Sequence, residues 1–73
     1  MRVFLDANIL FSAAKTAGAV RELLARLQAA GHVLCADAYV VGEARRNLIA
    51  KGPEALATLE ALSASAKRMR RAR

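Results

Sequence analysis

At 73 residues with a single cysteine, Cys35, the chain is one domain at most and has no internal disulfide to hold it together. Its formal charge of +6 is unevenly spread: Lys67, Arg68, Arg70, Arg71 and Arg73 supply five of the twelve basic residues, so residues 1–66 are nearly neutral. The N-terminus does not read as a signal peptide, and no uncharged apolar run approaches the ~18 residues of a membrane span, so a soluble, cytoplasmic protein is expected.

The first element is "RVFL", residues 2–5, whose β-branched and aromatic residues ahead of a polar break predict a short strand. A short apolar helix is expected from Ala7 to about Lys15, and "TAG" at 16–18 ends it, with Gly18 at the turn. Residues 19–30 carry the clearest helical period in the chain. Val20, Leu23, Leu24 and Leu27 fall at i, i+3, i+4 and i+7, while Arg21, Glu22 and Arg26 take other faces. Gly31 stands where a helix C-terminal glycine belongs.

"HVLCA", 32–36, predicts a second strand, with Cys35 an inert, partly buried thiol. Asp37 follows as an N-cap for a helix to about Ala50. Gly52 and Pro53 restart the chain, with proline at the first helical position, Glu54 in the first turn and Leu56, Leu59 and Leu62 on the buried side. That helix is expected to run on into "SASAKRMRRAR". No internal repeat is evident. Strand, helix, helix, strand, helix, helix predicts an α/β unit: a short parallel strand pair, joined by a right-handed crossover and flanked by about four helices. Such a pair has two open edges, which predicts a homo-oligomer or an incomplete fold.

In open parallel sheets, ligands bind outside the carboxyl ends of the strands. Asp6 ends the first strand, Asp37 follows the second, and Glu43 lies under two turns into the next helix. Acids gathered on that rim suit a hard cation such as Mg²⁺, and ions so held support phosphodiester cleavage. Each acid also has a structural explanation. Asp6 can cap the helix at Ala7, with Asn8 making a local hydrogen bond, and Asp37 can cap its own helix. Glu43 has Arg46 and Asn47 at i+3 and i+4, as a surface pair would. His32 has no partner at ligand spacing and Ser12 no histidine near in sequence, so neither is expected to do chemistry.

"VFLDANILFSAA", followed at a distance by "EARRNL", resembles the PIN-domain nucleases, which include the VapC-like toxins of toxin–antitoxin pairs. In that family an aspartate ends the first strand, with a small polar residue or Asn two places on. A glutamate within an E-x-x-x-x-L pattern follows the second strand. Asp6, Asn8 and Glu43 match those positions, and Leu48 fits the apolar place. The resemblance covers residues 2 to about 62. It implies a metal-dependent endoribonuclease with Asp6 and Glu43 as catalytic and metal-binding acids, Asn8 and Asn47 in support, Mg²⁺ or Mn²⁺ as cofactor, and RNA and an antitoxin as partners.

The family's nucleases are longer, the size of an ordinary domain, with further acidic ligands in their second half. Here no acid follows Glu60. The expectation is therefore a truncated PIN-like domain at 1–66, an incomplete site that holds at most one weakly bound ion, and a basic C-terminal tail at 67–73. Lys67, Arg68, Arg70, Arg71 and Arg73 would meet RNA electrostatically, since the tail has no aromatic residue to stack on bases. The alternative is a catalytically silent dimerisation or RNA-binding module.

Overall fold

Two short strands, β1 (Arg2–Phe4) and β2 (Val33–Asp37), lie side by side and parallel in the computed structural model, which describes residues 1–69. Between them run α1 (Ala7–Lys15) and α2 (Ala19–Ala29). After β2 come α3 (Ala38–Lys51), a single 3₁₀ turn at Pro53–Ala55, and α4 (Leu56–Ser65). The α/β class, the parallel pairing and the four helices agree with the sequence reading.

The strand count does not. The last helix was expected to continue into the basic run, but it ends at Ser65, and Lys67–Met69 forms a third strand, β3. It pairs parallel with β2 in the register Cys35↔Lys67, Ala36↔Arg68 and Asp37↔Met69, giving the order β1-β2-β3. The physical reason lies in β2. With only β1 beside it, one whole row of its backbone donors and acceptors would lack partners. Ala66 turns extended, at φ −93° and ψ 149°, and delivers the chain to that row. Residues 67–73 are thus not simply a tail: Lys67 and Arg68 belong to the sheet, whereas Arg70, Arg71 and Arg73 lie outside the described residues.

The core is built where α1, α3 and α4 meet over the strands. Leu10, Val41, Leu48 and Leu59 are fully buried, joined by Leu5, Leu34 and Ala36 from the strand segments. Ala13 on α1 and Ala44 on α3 are also completely inaccessible, and such small side chains let two packed helices approach closely. Cys35 is wholly buried rather than partly so, and its Sγ lies 3.8 Å from the Val33 carbonyl.

Local chemistry sets the helix ends. Gly31 takes φ +92°, the left-handed conformation that a glycine adopts without steric cost. There the Gly31 N–H donates to the Gln28 carbonyl and the His32 N–H to the Leu27 carbonyl, each at 3.0 Å, the Schellman arrangement that closes a helix. Asp37 caps α3: the Val40 N–H donates to its Oδ1 at 2.8 Å. Asp37→Ala should lower stability by about 1 kcal/mol and Asp37→Asn should restore most of it, as thermal unfolding followed by circular dichroism would register. Equal melting of the parent and the alanine variant would remove the cap from the account.

Candidate functional site at the carboxyl edge of the sheet

The rim forms because two strand ends deliver two aspartates the same way. Leu5 still belongs to the ladder, its N–H donating to the Cys35 carbonyl at 2.9 Å. The register Phe4↔Cys35, carried on two residues, sets Asp6 opposite Asp37. Asp6 leaves β1 at φ −95° and ψ 174°, and Asp37 leaves β2 at φ −98° and ψ 169°. Each then opens a helix, with Ile9 N–H donating to Asp6 Oδ1 and Val40 N–H to Asp37 Oδ1, both at 2.8 Å. An apolar strand, an Asp-Ala step and a helix therefore occur twice, as "LDANIL" and "ADAYVV". No longer repeat accompanies it, because the shared unit is only a strand end and a first turn. Its signal is the Asp-Ala pair behind each apolar run.

Capping is thus a role that Asp6 performs. It engages Oδ1, while Oδ2 lies outside that bond and Asp6 is exposed to solvent. Asn8, two residues on, is also exposed, on the first turn of α1. Asp37 is half-buried and makes further interactions beyond its cap bond.

Glu43 lies six residues beyond the cap of α3, about 9 Å along the helix axis. Val41, Ala44 and Leu48 form the buried stripe of that helix. Glu43 and Asn47, four apart on the neighbouring stripe, are both half-buried. The surface pair expected between Glu43 and Arg46 or Asn47 does not form. Among the described residues Glu43 has neither hydrogen bond nor ion pair. The pairing on this helix is instead Arg45 with Glu60 of α4, at 2.5 Å, an exposed contact that tethers α3 to α4.

The donors on hand are carboxylate and amide oxygens, the hard type that Mg²⁺ and Mn²⁺ take. Among the described residues no group of three or more His, Cys, Asp or Glu side chains gathers to hold a metal ion. The rim thus carries Asp6 and Asp37 at the starts of α1 and α3, with Glu43 farther along α3, and among the described residues they form no closed cage. His32 Nδ1 is buried without a hydrogen-bond partner among the described residues, at the opposite end of β2 from the rim. A shallow hollow lined by Ala17, Gly18, Arg21 and Ala25 lies at the turn between α1 and α2, likewise at the far end of α1 from Asp6. Lys67, at the start of β3, is exposed. No described helix is long and apolar enough to cross a membrane.

Compared with protein-family models, with curated proteins and with solved structures, the chain finds no match.

Proposed function

We propose that this chain is a PIN-type ribonuclease unit that uses Mg²⁺ or Mn²⁺, with Asp6 and Glu43 as its acidic ligands. The observation that supports it is Glu43, a half-buried carboxylate without a partner among the described residues, on the helix that begins next to Asp6. Side chains on a helix tilt toward its N-terminus, which here is the rim. Asp6 and Glu43 would hold a hydrated divalent ion, and Asn8 and Asn47 would orient its shell or the RNA. When bound, such an ion supplies the positive charge that polarises a phosphodiester. Asp6 meanwhile fixes the start of α1, so that acid and helix keep one geometry. Two carboxylates offset the charge of one ion, so activity is low in the isolated chain.

Lys67, Arg68, Arg70, Arg71 and Arg73 are proposed as the contact to the RNA backbone, with binding that weakens steeply as salt rises. An antitoxin partner and a cytoplasmic location belong to the same reading.

The second reading is a catalytically silent RNA-binding or dimerisation module. It is favoured by the two cap hydrogen bonds, which account for Asp6 and Asp37 without any ligand.

Asp6→Asn separates the two. Asparagine caps a helix about as well as aspartate, so the variant should melt with the parent while losing the ligand charge. Incubation with structured RNA and Mn²⁺ should give cleavage by the parent that falls below detection in Asp6→Asn and in Glu43→Gln. A parent that cleaves nothing, or variants that cleave as it does, would sink the nuclease reading and leave the silent module.

A further inference from the structure

The backbone of β1 has a second side that nothing in the described fold uses. Val33 N–H donates to the Met1 carbonyl and Leu5 N–H to the Cys35 carbonyl, so the odd residues of the strand face β2. Strand backbone groups alternate in direction, which turns the N–H and C=O of Arg2 and Phe4 outward along the open edge. The side chains there are also exposed: Phe4 is 67 % accessible and Arg2 is exposed, though one is aromatic and the other charged. Arg2 has no ion pair among the described residues.

We propose that this edge is a self-pairing surface, occupied by β1 of a second copy running antiparallel about a two-fold axis at Val3. Arg2 and Phe4 of opposite copies then exchange both backbone hydrogen bonds, and the symmetry repeats the pair. Directly opposed residues share a face, so each guanidinium meets the ring of the other copy's Phe4, a cation–π contact. Val3 meets Val3 on the opposite face. The two sheets join into one, with the β3 strands at its outer edges.

Charge and symmetry select this occupant over the alternatives. A β1–β3 junction is head-to-tail and closes only where its rotation completes a ring, whereas a two-fold pair closes by itself. Pairing β1 with itself keeps like charges apart and closes. The contact is short, which makes it a weak, concentration-dependent dimer. The proposal stands independently of the nuclease reading.

The test is sedimentation of the full chain over a concentration series, with circular dichroism confirming that each variant is folded. The parent should pass from monomer to dimer. Phe4→Lys sets lysine against arginine at an exposed position and should weaken the dimer about tenfold or more. The double variant Arg2→Glu/Phe4→Lys makes both opposed pairs oppositely charged and should recover it. Leu23→Lys, at an exposed position on α2, should change nothing. A parent that stays monomeric overturns the proposal, as does a dimer indifferent to Phe4→Lys. Failure of the double variant to rescue overturns the register, and a dimer lost in Leu23→Lys assigns the contact to a helix face instead.

Discussion

Leu48→Ala is expected to remove most of the stability of this fold. Leu48 is fully buried on α3, in the cluster that α1 and α4 share. Truncating a buried leucine to alanine loses its transfer free energy and leaves a cavity, together about 2–5 kcal/mol. A domain of this size has roughly 4–11 kcal/mol in all. The substitution therefore consumes a large fraction of it, and a chain at the lower end would unfold. Leu48→Met keeps the volume and should cost under about 1.5 kcal/mol. Urea denaturation of the three proteins measures this. A loss below about 1 kcal/mol for the alanine variant would mean that the three helices close over the gap, and the packing account would fail.

Arg21→Ala should have the next largest effect, through a contact that is easy to overlook. Arg21 is a half-buried residue of α2, and its guanidinium reaches the end of α1. Nε donates to the Ala13 carbonyl at 2.7 Å and a terminal nitrogen donates to the Ala14 carbonyl at 3.1 Å. Those carbonyls lie in the last turn of a nine-residue helix, where no intrahelical donor remains for them. The cation also sits at the negative end of the helix dipole. Removing it leaves two acceptors beside fully buried alanines and should cost about 2 kcal/mol. Arg21→Lys keeps the charge but not the fork, and should recover about half. If both variants melt with the parent, water serves those carbonyls equally well and the tether is ornamental.

The elements legible from sequence were those with local causes. The four helices follow from apolar periodicity and from Gly18, Gly31 and Pro53 at their boundaries, and Asp37 was recognisable as a cap because an apolar strand and a helical stretch flank it. What escaped the reading depends on distant partners. β3 is a strand because β2 has an edge to fill, and "KRM" alone carries no such instruction. Arg21 looked like a surface residue of an amphipathic helix, since nothing local shows that the end of α1 lies within its reach. Glu43 illustrates the converse. The rule for residues three and four apart predicted a pair with Arg46 or Asn47, yet Arg45 is the arginine of that run that pairs, and it does so across helices with Glu60. Asp6 and Glu43 were identifiable as candidates from type and position, while the cap bond that occupies half of the Asp6 carboxylate required coordinates.

The wiring of the sheet has a consequence for how the chain finds its shape. Arg2 pairs with Val33, and Cys35 with Lys67, so each junction brings together residues nearly half the chain apart. Among the described residues no hairpin nucleates strand pairing locally. The helices can form early, from neighbours in sequence, but the central strand waits for both ends of the polypeptide. Until the last strand arrives, β2 presents an unsatisfied edge that includes the backbone flanking Asp37. The pairing of β1 with β2 sets Asp6 opposite Asp37, and β3 then satisfies the edge beside Asp37, so the rim is finished only with the sheet.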